Sequence, residues 1–246
     1  MPTNAEAQMD YINCWECNAK QHFLSMDYDW IASLIKELGV KNVFEIGCGV
    51  GYSTLALVNA GLKVISVDSI PYAIEITKKR LESFDVLVDI NDDINGAPVV
   101  LKQIDVIENY EEIGNSIKPN ELVLICNPGG KLEDELTEKE IEMLRWGRYS
   151  FDEEENVLVM HKWAVLLAAA RLAKDNNIML IVVDRGTNKE IKDVFQVIEK
   201  VSGLKKKCDS SRQIEKEPEN GVRLSHPDNK NMLWGAGLFT PHRLSR

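Results

Sequence analysis

Apolar positions along the chain switch repeatedly between two spacings. From Asp27 to Leu38 the residues Ile31, Leu34, Ile35 and Leu38 recur three or four apart. That is the period of a helix with one buried face, and Gly39 supplies its stop. Asn42 to Ile46 is a short apolar run of strand length. It enters a glycine-rich turn, beyond which a helix is expected from Ser53 to Ala60, closed by Gly61. A second strand, Lys63 to Val67, ends at Asp68. Pro71 suits the first turn of a following helix that reaches Leu81, with Glu75 and Lys79 as a favourable i,i+4 pair.

Farther on, Phe84 to Ile90 and Val99 to Val106 are both strand-like, separated by the turn-rich Asn91–Gly96. Val99 to Ile104 is taken as the third strand and Glu121 to Cys126, rich in branched apolar residues, as the fourth. Residues 131–156 are strongly acidic and read as helix or loop. An apolar helix near 157–174, a strand at Ile178 to Val183 and a helix at Asn188 to Val201 follow. From Leu204 to Thr240 the pattern is an antiparallel strand pair around the polar loop Asp209 to Asn231. Its final strand, Met232 to Phe239, contains Gly235 and Gly237. Alternation of helix and strand between residues 26 and 202 argues for helices packed around a parallel sheet.

The length of 246 residues fits one domain, and the 44% hydrophobic and 28% charged content is that of a globular enzyme. A formal charge of -10 repels phosphate backbones, which counts against a nucleic-acid partner. The short basic runs Lys78-Lys79-Arg80 and Lys205-Lys206-Lys207 sit among acidic neighbours and read as solvated faces. No basic start followed by an apolar run marks a signal peptide. The most apolar stretch, Val157 to Ala173, is interrupted by His161, Lys162 and Arg171, so no membrane span is expected. Five cysteines, an odd number, suit a reducing cytoplasm better than a disulfide framework.

Chemistry concentrates in Val43-Phe44-Glu45-Ile46-Gly47-Cys48-Gly49-Val50-Gly51-Tyr52-Ser53. A strand runs into closely spaced glycines and directly into a helix. Such glycines permit positive φ and let a ligand lie on bare backbone, while the helix start offers unpaired N–H groups. Turns of this kind, at the carboxyl end of a first parallel strand, bind nucleotides. A dinucleotide fingerprint would place a glycine where Tyr52 stands, and a P-loop would need Gly-Lys-Ser/Thr, which is missing. Asp68, at the end of the next strand and about twenty residues on, has the position and the two oxygens to accept from both ribose hydroxyls.

Glu45-x-Gly47-x-Gly49-x-Gly51 resembles motif I of the class I, Rossmann-like S-adenosylmethionine-dependent methyltransferases. Ile104-Asp105-Val106 is similar to that family's Gly-Asp-Ala without its glycine, and Cys126-Asn127-Pro128-Gly129-Gly130 closes the fourth strand where the family presents substrate-facing residues. The likeness covers about residues 40–240. It implies an α/β, doubly wound, mostly parallel seven-stranded sheet with a C-terminal antiparallel strand pair and helices on both faces. It also implies S-adenosyl-L-methionine as cofactor, held by Glu45, Gly47, Cys48, Gly49, Gly51, Ser53, Asp68, Ser69, Asp105, Val106 and Asn127. The expected division is an N-terminal helical segment over residues 1–40 and a cofactor-binding domain over residues 41–246.

What the resemblance implies as activity is methyl transfer to a small-molecule acceptor by in-line attack. Asn127-Pro128 invites comparison with the Asn-Pro-Pro-Tyr motif of amino-methyltransferases acting on nucleobases or glutamine, but Gly129-Gly130 replaces its Pro-Tyr. A non-catalytic, regulatory use of the fold and an aminopropyl or aminocarboxypropyl transfer stand as alternatives. The aromatic segment Tyr11 to Trp30, including Trp15, either covers the site as a lid or packs on the sheet edge; Trp15, Asn127 and Pro128 are the candidate substrate contacts. His161 reads as a core histidine or, alternatively, as a base. Cys14-x-x-Cys17 lacks the further ligands a structural zinc requires, so no metal is expected and the pair reads as two small buried side chains.

Overall fold

The computed structural model describes residues 4–90, 96–118, 121–128, 135–148, 157–213 and 233–241. Two helices, α1 (Asn4–Leu24) and α2 (Asp27–Glu37), precede strand β1 (Asn42–Ile46). There follow α3 (Tyr52–Asn59), β2 (Lys63–Asp68), α4 (Pro71–Ser83), β3 (Val88–Asp89), β4 (Val99–Gln103), α5 (Tyr110–Ser116) and β5 (Glu121–Cys126). The remainder is α6 (Glu138–Trp146), α7 (Val157–Asp175), β6 (Met179–Gly186), α8 (Asn188–Ser202), β7 (Lys205–Gln213) and β8 (Leu233–Thr240).

The strands form one sheet in the order β3-β4-β2-β1-β5-β6-β8-β7. Pairings from β3 through β6 are parallel, and β8 runs antiparallel to both β6 and β7. The chain winds outward from β1 through β2 to β4 and β3, then returns to lay β5 on the other side of β1. The reversal opens a crevice at the carboxyl ends of β1 and β5, the place where open α/β sheets bind ligands.

Alternating side chains divide the core between the two sheet faces. Val43, Val64, Leu122, Leu124, Ile181 and Val183 pack with α1 to α4. Phe44, Ile46, Val123, Ile125, Leu180 and Val182 pack with α5 to α8. The middle of α7 is a central buried helix, with Ala164 and Leu166 through Ala170 fully buried. Among the described residues no helix is long and apolar enough to cross a membrane.

Several boundaries differ from the sequence expectation. The sheet has eight strands, because Phe84 to Ile90 contributes the two-residue edge strand β3 that pairs with β4. Strand β7 continues through Asp209 to Gln213, where a loop was expected, because its partner β8 supplies the backbone bonds and an edge strand tolerates polar side chains. The rest of that loop, residues 214–231, lies outside the described residues, as do Gly129 and Gly130 after β5 and residues 131–134 and 149–156 of the acidic segment. The described part of that segment holds α6, started by a reciprocal capping box between Thr137 and Glu140. Gly235 and Gly237 are explained by α8: a Cβ at Gly235 would collide with Ile191, and one at Gly237 would lie 3.0 Å from Phe195.

Candidate functional site

A cavity opens at the reversal point and encloses about 170 Å³ of space accessible to water. Its floor is built from the ends of four parallel strands. Ile46 to Ser53 follow β1, Val67 to Ile70 follow β2, Ile104 to Val106 follow β4, and Cys126 to Pro128 follow β5. Trp15, from α1, and Tyr28, from α2, supply aromatic walls.

The glycine turn is held by its own backbone and by the next strand. Gly47 and Cys48 both donate N–H to the Val67 carbonyl, at 2.8 and 3.2 Å, and Gly51 donates to Cys48 at 2.8 Å. All three glycines have positive φ: 84° at Gly47, 53° at Gly49 and 83° at Gly51. They are needed for different reasons. A Cβ on Gly47 or Gly49 would meet nothing within 4 Å, so both leave open room over bare backbone. A Cβ on Gly51 would lie 2.9–3.0 Å from Thr77, including its backbone Cα, so Gly51 lets α3 start hard against α4.

Asp68 ties the turn to β2. Its Oδ2 accepts the Gly49 N–H at 2.9 Å and its Oδ1 the Ile70 N–H at 3.0 Å. The Cys48 thiol lies 3.8 Å from Oδ2. Burial raises the Asp68 carboxyl above its ordinary value, and the two backbone N–H groups oppose that rise. Asp105 Oδ1 accepts from the N–H groups of Ile107 and Glu108, at 2.9 and 3.2 Å, which fixes the loop after β4. Asn127 adopts φ 45°, unusual for a residue other than glycine, with its N–H on the Val183 carbonyl at 2.7 Å. That turn directs the chain out of the sheet at the cavity rim.

Of the residues singled out by sequence, Gly47, Cys48, Gly49, Gly51, Ser53, Asp68, Ser69, Asp105, Val106, Asn127, Pro128 and Trp15 all line this cavity. Glu45 does not. Its side chain is fully buried behind the turn and accepts hydroxyl bonds from Ser53 (2.6 Å), Thr54 (2.5 Å) and Ser66 (2.6 Å). Burial pushes its carboxyl upward, against the pull of those three hydroxyls. Its position is therefore that of a bracket joining β1, β2 and the first turn of α3.

Tyr28 lies within the aromatic segment Tyr11 to Trp30. In the fold Tyr28, with its phenolic hydroxyl, is 8% exposed and stands on the cavity wall. Burial keeps that hydroxyl protonated well beyond its ordinary range. Behind it stands a polar cluster. His22 Nδ1 lies 2.9 Å from Asp27 Oδ2 and 3.2 Å from the Trp234 indole nitrogen, while Arg185 Nη1 reaches His22 Nε2 at 3.3 Å. The His22 ring thus has Asp27 and the donating Trp234 indole N–H on one nitrogen and the Arg185 guanidinium on the other. No local signal in the sequence marks Tyr28, because its surroundings come from Trp234, far along the chain.

Three expectations are corrected or resolved by placement. Arg80 is not part of a solvated basic face. Its guanidinium donates to both oxygens of Glu16 at 2.7 Å and to the Val50 carbonyl, and it stacks 3.8 Å from the centre of the Tyr52 ring. Cys17 is exposed rather than buried, and nothing groups with it as a ligand set among the described residues. His161 is fully buried away from the cavity lining, with Nδ1 2.9 Å from Glu140 Oε1, which is a core arrangement.

No protein-family model and no curated protein matches the sequence. Solved structures do match the fold. A candidate RNA methyltransferase from Pyrococcus horikoshii is 14% identical with a TM-score of 0.51, over 89% of this chain and 82% of that one. The methyltransferase domain of the bacterial protein CtHen1 is 15% identical with a TM-score of 0.50, over 89% and 99% of the two chains. A SAM-dependent methyltransferase from Agrobacterium tumefaciens is 12% identical with a TM-score of 0.50, over 89% and 62%. Likeness at this level of identity speaks for the architecture, and the chain has the class I, Rossmann-like methyltransferase fold.

Proposed function

We propose that the protein is an S-adenosylmethionine-dependent methyltransferase acting on a small molecule. The observation that carries this reading is the joining of Gly49 and Asp68 on the floor of a cavity at the reversal point of the sheet. Gly47 and Gly49 leave room over their backbone, as a ligand lying against the turn requires. Asp68 Oδ1 accepts one N–H and keeps a second lone pair, and Oδ2 accepts one N–H with only the weak Cys48 thiol donor beside it, so the carboxylate is oriented to accept from two ribose hydroxyls. Asp105 and Val106, after β4, would face the adenine, and Ser69 and Ser53 would flank the sugar and the methionine portion. Glu45 would act from behind, by holding Ser53 and the turn in place.

When bound, the cofactor supplies an electrophilic sulfonium methyl, so the chain's task is alignment and exclusion of water. Trp15, Tyr28, Asn127 and Pro128 are the residues placed to do that on the acceptor side. Residues 1–40 serve in this reading as a cover, since α1 contributes Trp15 and α2 contributes Tyr28 to the walls. The Asn127 carboxamide on the wall also favours an amino group as the acceptor, because its oxygen can accept from an N–H while the nitrogen lone pair attacks.

Calorimetry with S-adenosylhomocysteine tests the reading. Micromolar binding to the wild type is expected, with loss in Asp68→Ala; absence of binding to the wild type by either S-adenosylmethionine or its product sinks it.

A further inference from the structure

Arg80 makes contacts that a helix-surface arginine has no structural need to make. It leaves α4 and lies 13% exposed between three other parts of the chain. One amino group donates to the Val50 carbonyl, in the middle of the glycine turn. The other donates to both carboxylate oxygens of Glu16 on α1, each at 2.7 Å. The Tyr52 ring lies beneath the guanidinium, and the Tyr52 hydroxyl donates to the same Glu16 at 3.1 Å. Phe23, also on α1, stacks 5.1 Å from Tyr52. Glu16 immediately follows Trp15, a cavity wall.

We infer that Arg80 is a positioning residue that fixes the glycine turn and seats α1 over the cavity, so that Trp15 and the Val50 carbonyl are set by one guanidinium. A planar fork with five N–H donors can grip a carboxylate with one edge and a carbonyl with another, while its face stacks on an aromatic ring. Lysine offers a single ammonium and cannot make all three contacts. The inference rests on the cofactor reading above for its functional meaning, but its structural half does not depend on any ligand.

The test combines hydrogen exchange of the 13–24 segment, on the protein without ligand, with calorimetry of S-adenosylhomocysteine. Arg80→Met is expected to lose protection in α1 and to bind the product about tenfold more weakly. Glu16→Gln is the milder change, on the more exposed partner; it is expected to loosen α1 with a smaller loss of affinity. In the exchanged pair Glu16→Arg with Arg80→Glu, protection of α1 returns but affinity does not, because a carboxylate cannot donate to the Val50 carbonyl. A purely structural ion pair would recover both. Wild-type protection and affinity in Arg80→Met, or in Glu16→Gln should the former not fold, overturn the inference. Failure of the wild type to bind the product removes the cofactor reading instead, while the exchange result still decides whether Arg80 seats α1.

Discussion

Gly49 donates its amide N–H to Asp68 Oδ2 at 2.9 Å. The glycine turn after β1 and the acid that ends β2 are thus a single hydrogen-bonded unit, although nineteen positions separate them in sequence. The bond has two effects. It spends one lone pair of a raised carboxyl on the backbone, and it sets the angle at which the remaining lone pairs meet the cavity.

Because burial raises the Asp68 carboxyl above the ordinary aspartate value, and the ionised form is the stronger acceptor of hydroxyl bonds, cofactor affinity should be greatest where the acid is ionised. It should fall as the pH drops through the raised value, at a higher pH than an ordinary aspartate would give. Affinities for S-adenosylhomocysteine measured between pH 4 and 8 (about that range) check this; a flat profile would exclude Asp68 as the acceptor.

The two kinds of glycine should separate experimentally. Gly51→Ala strains a residue at φ 83° and drives a methyl into Thr77, for a loss of about 2–3 kcal/mol of stability. Gly49→Ala meets open space, so it should destabilise less while obstructing the ligand. Melting temperatures and product affinities of the two variants should therefore rank in opposite orders.

Removing the Glu45 carboxylate orphans three hydroxyls, two of them fully buried, and Glu45→Ala should cost about 2–4 kcal/mol in denaturant unfolding. The sign of the pH effect is the reverse of that for a salt-bridged acid. A carboxyl raised in the folded state holds its proton more tightly there, so its contribution is full below the unfolded value near 4.5 and is lost as the pH rises through the folded value. Relative to Glu45→Gln, the wild type should lose stability as the pH climbs above 4.5. An unchanging difference would show that Glu45 does not titrate abnormally.

Trp15 is the tryptophan that faces the cavity, so product binding should perturb intrinsic fluorescence in the wild type. In Trp15→Phe the change should be largely abolished while the protein still binds. A full signal in that variant would place Trp15 away from the ligand.

How far the sequence foretells this arrangement depends on where each contact lies. Strands β1 and β5 are legible to the residue because every position from Val43 to Ile46 and from Glu121 to Ile125 is buried. The edge elements are not: β3 is two residues long, and the outer part of β7 is polar, so neither carries an apolar period. Motif I and Asp68 are legible because their chemistry is local to strand ends. The roles of Arg80 and Tyr28 are invisible to any window, since Arg80 meets Glu16 across 64 positions and Tyr28 gains its surroundings from Trp234. Glu45 carries the right identity for the turn but stands behind it, which only the three hydroxyl bonds reveal.

The place of β8 in the sheet bears on the order in which the protein is made. Among the described residues it is the last strand in sequence, yet it lies between β6 and β7, and it is the one strand paired with β7. A growing chain can pair β1 to β6 and complete the glycine turn while still on the ribosome. Strand β7 must then wait for residues 233–240 to emerge before it joins the sheet. Trp234 arrives with them and meets His22, 212 positions upstream. The wall behind Tyr28 is therefore finished last, and a chain stalled before residue 233 carries the glycine turn without the backing for the Tyr28 side of the cavity.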